Sequence, residues 1–202
     1  MSKMTRREAL ELTAVAALTT AFRWTPADAR RAADLARAAR AAAPVGQAVA
    51  PKFFTAHELD TVRVLVDIVI PRDDRSGSAT DAGVPEFMDF MLNEREDGRL
   101  PMRGGLAWLD DQCAHRYHKT FVACTEAERT AVIEDIAWPK RAKAEHSHGV
   151  AFFNMFRDLT ASGFYSSKIG IADLDYRGNE FVTNWTGCPE DALKQLNVRY
   201  SD

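Results

Sequence analysis

A capping box followed by apolar residues at helical spacing is the feature that most constrains how this chain folds. Thr55 and Glu58 stand three residues apart, so that each side chain can accept a hydrogen bond from the other residue's backbone N–H at a helix start. Val62 and Val66 continue at helical spacing, and Pro71 ends the pattern. The valines and isoleucines of residues 62–70 also suit a strand, but the capping box favours a helix.

Five further segments carry helix signals of the same kind. Pro85 suits a first helical turn, and Thr125 with Glu128 forms a second capping box. Residues 149–162 carry a phenylalanine-rich stripe, and Gly163 suits a C-terminal cap after them. The six expected helices lie within residues 55–70, 85–92, 101–119, 125–138, 149–162 and 189–196.

The class predicted from these segments is mainly α: a compact single-domain helical bundle of about five to six helices with long irregular loops. The chain has 202 residues with 46% hydrophobic and 27% charged side chains, which is typical of one soluble globular domain. A formal net charge of −3 argues against general nucleic-acid binding, which needs a basic face. Because no run of about 20 apolar residues occurs, the sequence predicts no membrane span.

The N-terminus has the layout of an export signal. Arg6 and Arg7 precede a short, weakly apolar stretch, and Ala27-Asp28-Ala29 resembles a small-residue cleavage box. The arginine pair points to the twin-arginine route, which carries folded proteins. The alternative is an alanine-rich amphipathic helix with an incidental arginine pair. The predicted organisation is a signal over residues 1–29, an Ala/Arg-rich frayed helix and linker over 30–51, and a helical domain over 52–202.

An aromatic stretch without helical spacing covers residues 164–188. Long ordered loops are usually functional, and exposed tyrosine and tryptophan are typical interface anchors. We therefore predict that this stretch meets another protein. The alternative is that its aromatic residues pack on the domain itself. The candidate interface residues are Phe164, Tyr165, Tyr176 and Trp185.

The three cysteines are consistent with export but form no disulfide scaffold. Cys188 precedes a proline in an expected exposed loop, which makes it a candidate for an interchain disulfide in an oxidising compartment. Cys113 and Cys124 are eleven residues apart, and the sequence leaves open whether they are buried, free or bridged. An internal pair between Cys188 and either of them is the alternative.

Motifs for catalysis are sparse in the sequence. It contains no phosphate-binding loop, no dinucleotide fingerprint and no Gly-x-Ser-x-Gly elbow. No catalytic, cofactor-binding or metal-binding residues are therefore assigned. One alternative is a stand-alone exported enzyme with a metal held by His115, His118, His146 and His148 near Cys113. Another is a small periplasmic ligand-binding helical domain with an apolar pocket.

Several short stretches together carry a family resemblance over roughly residues 52–197. In chain order these are Phe53-Phe54-Thr55, residues 67–71, Ala82-Gly83-Val84, residues 105–110, Gly163-Phe164-Tyr165-Ser166-Ser167, Tyr176-Arg177-Gly178-Asn179 and Gly187-Cys188-Pro189. Their order, after a leader of twin-arginine type, resembles the gluconate 2-dehydrogenase subunit 3 family.

The resemblance implies a non-catalytic partner of a large dehydrogenase subunit of the glucose–methanol–choline class. In such complexes the large subunit holds FAD and oxidises a sugar or sugar acid, and electrons pass onward, often to a c-type cytochrome. The small subunit is thought to bring the large subunit through the twin-arginine translocase into the periplasm and to stabilise it. Membrane association, if any, is expected to come through the complex.

Overall fold

The computed structural model describes residues 22–43, 49–175, 183–184 and 187–200. Over these residues the backbone forms nine α-helices and two short 3₁₀ turns, without a strand. The helices are α1 (Pro26–Ala42), α2 (Ala56–Val69), α3 (Ala79–Ala82), α4 (Val84–Glu94), α5 (Arg99–Tyr117), α6 (Glu126–Ala137), α7 (Ser147–Tyr165), α8 (Lys168–Asp173) and α9 (Glu190–Leu196). The prediction of a mainly α single domain is confirmed.

The six expected helices correspond to α2, α4, α5, α6, α7 and α9, and both capping boxes form. Thr55 N–H donates to Glu58 Oε2 over 2.8 Å, and Glu58 N–H donates to Thr55 Oγ1 over 3.2 Å. Thr125 and Glu128 make the same pair of bonds at the start of α6. These local signals therefore placed both helix starts correctly.

Helix α7 is the centre of the fold. It packs against α1 to α6 and against α8. Its buried stripe includes Phe152, Phe156 and Leu159, the residues whose spacing predicts the helix. No helix among the described residues is long and apolar enough to cross a membrane.

The prediction that Gly163 caps the end of α7 is wrong, because the helix continues to Tyr165. Gly163 is buried, and a Cβ atom added there would lie 2.7 Å from Cδ1 of Phe87. This position therefore requires glycine, because the Phe87 ring of α4 packs against the α7 backbone.

The first part of the aromatic stretch is also helical rather than irregular. The last turn of α7 contains Phe164 and Tyr165, and Ser167 caps α8 by accepting a hydrogen bond from Gly170 N–H over 3.0 Å. A Cβ atom at Gly170 would meet the Phe164 carbonyl oxygen at 2.1 Å. The helical periodicity is not visible in this stretch, since it contains only residues 164–165 of α7 and the six residues of α8.

Helix α1 is longer and better packed than the frayed helix expected before residue 52. Its small side chains form a buried stripe made of Ala29, Ala32, Ala33 and Ala36. This stripe packs mainly on α4, because alanine side chains let two helices approach closely. Residues 22–42 therefore contribute to the core of the domain.

Candidate partner interface

An open groove of about 660 Å³ lies between α1 and the ends of α7 and α8. Its walls combine aromatic, aliphatic and charged side chains. They include Trp24, Ala29, Ala33, Arg37, Tyr165 and Ile171. The groove faces solvent along one side and carries more apolar than polar lining, as expected of a surface that receives part of another protein.

The wall formed by α1 is held by a capping box and by an arginine from the body. Thr25 caps the helix together with Asp28, and Pro26 occupies the first turn. The guanidinium of Arg95 donates to Asp28 Oδ2 over 2.8 Å and to the carbonyl oxygen of Arg23 over 2.7 Å. The hydrogen bond from the Thr25 backbone N–H lowers the pKa of the Asp28 carboxyl. Arg95 lowers the same pKa by a smaller amount. These contacts therefore favour the ionised form of the carboxylate.

Trp24 joins this wall to the opposite one. Its indole Nε1–H donates to Ser162 Oγ on α7 over 3.0 Å, and its ring lies 5.2 Å from the ring of Phe22. Ser162 Oγ in turn donates to the carbonyl oxygen of Asp158 over 2.8 Å. These bonds fix the groove's base between two helices far apart in sequence.

Three large apolar side chains are exposed at the groove and along α8. Tyr165 is 43% exposed, Ile171 is 40% exposed, and Leu174 at the end of α8 is 56% exposed. Arg30 and Arg37 line the groove from exposed positions on α1, and Arg37 pairs with Asp34. An aromatic and aliphatic centre with a charged rim is the usual anatomy of a protein interface.

The predicted interface residues have different positions. Tyr165 lies on the groove, whereas Phe164 is fully buried, with its ring in an edge contact 5.2 Å from that of Tyr165. The prediction that Phe164 contacts a partner is corrected accordingly: consecutive residues of a helix point in different directions, and this ring points into the core. Tyr176, Trp185 and the arginine pair Arg6 and Arg7 lie outside the described residues.

The cysteines divide into a buried pair and an exposed thiol. Cys113 and Cys124 are buried, Cys188 is exposed, and all three are free thiols. Burial, with a contribution from the neighbouring Cys124, raises the pKa of the Cys113 thiol to about 12. Cys188 N–H donates to Tyr200 Oη over 2.6 Å. Helix α9, which follows Cys188, has no buried residue.

The four histidines considered as metal ligands lie in α5, directly after α5, in the 3₁₀ turn before α7 and in the first turn of α7. His146 is buried and makes an edge contact with the Trp108 ring at 5.9 Å, and His148 lies two residues further on in the first turn of α7. His115 bonds through Nδ1 to the Asp111 carbonyl oxygen over 2.8 Å. His118 ends α5 with a φ of 56°. Within the described ranges, no group of three or more His, Cys, Asp and Glu side chains could hold a metal ion.

The sequence reasoning missed the contribution of α1 to the groove. The available signals were Thr25 with Asp28 three residues later, Pro26 between them, and alanines at helical spacing from Ala29. Alanine is weakly apolar and the segment is rich in arginine. The stripe therefore resembled a leader and linker instead of a packed helix.

Comparison with known proteins identifies the family. The family model described as gluconate 2-dehydrogenase subunit 3 matches residues 56–185, which is more than half of the chain. No curated protein and no solved structure gives a significant match. The match covers helices α2 to α8 and includes Tyr165 and Ile171 of the groove. The chain therefore belongs to the gluconate 2-dehydrogenase subunit 3 family.

Proposed function

We propose that this chain is the non-catalytic small subunit of a periplasmic sugar or sugar-acid dehydrogenase complex. Its partner is a large FAD-dependent subunit of the glucose–methanol–choline class, which holds the flavin and performs the oxidation. A c-type cytochrome is a candidate for receiving the electrons. The small subunit supplies the twin-arginine signal and stabilises the large one. The observation that carries the proposal is the exposed apolar groove on a chain of this family.

The groove suits a protein partner because it combines a fixed base with exposed anchors. Trp24 and Ser162 hold its walls together through a direct hydrogen bond. Partner binding therefore costs little conformational entropy in this part of the chain. Tyr165 and Ile171 expose apolar surface that water solvates poorly. Buried tyrosine anchors are typical hot spots, and truncation of such a residue often costs about 2 kcal/mol of binding free energy or more.

Co-purification of the two subunits tests the docking surface. The double variant Tyr165→Ala, Ile171→Ala should reduce recovery of the yellow flavoprotein with a tagged small subunit by tenfold or more. The matched control is Trp138→Ala, which truncates another large exposed side chain, 56% exposed, outside the groove. Equal recovery with the parent, the double variant and the control would refute docking at this groove.

The export role is tested at the arginine pair of the leader. Arg6→Lys with Arg7→Lys should trap both subunits in the cytoplasm, because the proposal assigns a single signal to the complex. Arg72→Lys with Arg141→Lys provides the control, since both are exposed arginines outside the leader and the groove. Normal arrival of the large subunit in the periplasm with the first variant would contradict the escort role.

Cys188 is the proposed site of an interchain disulfide. It is exposed, whereas Cys113 and Cys124 are buried and adjacent to one another, so an internal bridge to Cys188 would require the core to open. Cys188→Ser should convert a covalent band of both subunits on a non-reducing gel into two separate bands. A parent complex that already separates without reductant would rule out the bridge and leave the docking proposal intact.

A further inference from the structure

We infer that residues 22–42 belong to the mature protein, so that any removal of the export leader takes place before Phe22 and not after Ala29. This inference rests on the proposed function for the presence of the leader. Its evidence is the packing of the segment that a cut after Ala29 would separate from the domain. Cleavage there would also cut within α1, which begins at Pro26.

The residues before α1 are bound to the body by side-chain packing. Phe22 is only 6% exposed, and a Cβ atom added to Gly98 would lie 2.8 Å from its ring atoms. The guanidinium of Arg95 stands 5.8 Å from the centre of the same ring. A large aromatic side chain in such surroundings is a core residue of the domain.

Directional bonds add to this packing. Trp24 donates to Ser162 on α7, and Arg95 bonds both to the Arg23 carbonyl oxygen and to the Asp28 carboxylate. All these bonds join residues more than 60 positions apart in the chain. A cut after Ala29 would leave the Arg95 guanidinium and Ser162 without these partners.

The small-residue box itself is a poor substrate in this conformation. Ala27, Asp28 and Ala29 form the first turn of α1, and the Ala29 side chain is buried. Proteolysis favours exposed, irregular segments, whereas this box is helical, capped and packed. A peptidase would therefore have to unwind the start of α1 before it could cut there.

Retention of the segment also matters for docking. Trp24, Pro26 and Ala29 line the groove from the α1 side. A mature chain that began at Arg30 would lack these three residues and would keep Tyr165 and Ile171 on an incomplete surface. The residues that follow the leader thus build one wall of the proposed partner site.

Intact-mass measurement and N-terminal sequencing of the small subunit isolated from the periplasmic complex test the inference directly. We expect an N-terminus at residue 22 or earlier, including an uncut chain. An N-terminus at residue 23 or later would overturn the inference. Absence of the chain from the periplasm would instead refute the export role alone, and the test then passes to the variants below.

Two substitutions in the full chain test the packing of residues 22–42, whether the chain is isolated from the periplasm or from the cytoplasm. Phe22→Asp should lower the melting temperature of the purified protein by roughly 5 °C or more, because it removes a buried aromatic ring and leaves a cavity around a shorter side chain. Ala27→Asp is the matched control at an exposed position of the same segment and should change the melting temperature by about 1 °C or less.

If Phe22→Asp yields no folded protein, Trp24→Phe, which removes the bond to Ser162, should still lower the melting temperature measurably. Parent-like melting of Phe22→Asp, or of Trp24→Phe where that variant replaces it, would overturn the inference.

Discussion

Asp89 of α4 is a buried carboxylate that anchors the chain entering α2. It is 3% exposed. Its Oδ1 accepts hydrogen bonds from the backbone N–H groups of Phe53 and Phe54, each over 2.9 Å. Its Oδ2 accepts a hydrogen bond from the backbone N–H of Lys52 over 2.7 Å. Bonds to a charged acceptor are among the stronger ones in proteins. One side chain thus satisfies three backbone donors that precede the helix.

Removal of the Asp89 carboxylate should destabilise the folded protein. Asp89→Ala is expected to lower the free energy of unfolding by roughly 3 kcal/mol, because buried N–H groups lose their acceptor. Asp89→Asn, which keeps one carbonyl oxygen, should cost less. Urea denaturation measures both, with the exposed loop variant Asp74→Ala as control. Equal stability of Asp89→Ala and the control would contradict this account.

The thiols should differ in reactivity. Burial and the neighbouring Cys124 raise the pKa of Cys113 to about 12, so its reactive thiolate is scarce at pH 8, and the core also shields it. Iodoacetamide at pH 8 should therefore modify Cys188 in the native isolated chain and all three cysteines in denaturant. Peptide mass spectrometry locates the label. Rapid native labelling of Cys113 would show that the core opens there.

At the scale of the helices, capping carboxylates should make the fold sensitive to acid. The Thr125 backbone N–H, followed by Lys119, lowers the pKa of Glu128 from its ordinary value of 4.5. The stabilisation is therefore complete above about pH 4.5 and is lost as the pH falls through the lowered folded-state pKa. Glu128→Gln should be less stable than the parent at pH 7, and the difference should be smaller at pH 3. Denaturation at both pH values measures it, and a difference that does not change with pH would exclude this cause.

Two adjacent glycines of α5 should respond oppositely to the same substitution. A Cβ atom at Gly105 would lie 1.8 Å from Cδ2 of Phe152, whereas at Gly104 it would meet nothing within 4 Å. Gly105→Ala should therefore destabilise the protein by about 2 kcal/mol or more through overpacking of α5 against α7. Gly104→Ala should stabilise it by about 0.5 kcal/mol, since alanine favours a helix interior. Thermal unfolding compares the two, and similar effects of both would refute the close contact.

Helix prediction succeeded where start signals stand next to the helix they cap. Thr55 and Thr125 cap α2 and α6 through residues three positions away, so short-range sequence contains all the information that is needed. It failed at Gly163, where the packing of Phe87 and not a turn requires glycine. It failed again at α8, because six residues are too few to display an apolar period.

For the molecule as a whole, the proposed partner should add stability mainly through the groove. Tyr165 and Ile171 are largely exposed, so the double alanine variant should melt within about 2 °C of the parent when isolated. In the complex, the parent small subunit should melt higher than alone because binding favours the folded state. The variant should lose most of that increase. Calorimetry of both chains, alone and with the large subunit, provides the comparison, and an equal gain for the two would place the contact elsewhere.

The sequence by itself determined the helical class, the starts of the capped helices and the family, since each of these depends on residues close together in the chain. It also pointed to Tyr165 as a surface residue of interest. Tertiary structure alone decided that Phe164 turns inward and that α1 packs on α4. It likewise decided that Trp24 meets Ser162 to form the groove. The physical reason is that burial and hydrogen bonding between residues up to 138 positions apart follow from how the helices pack, which local spacing does not encode.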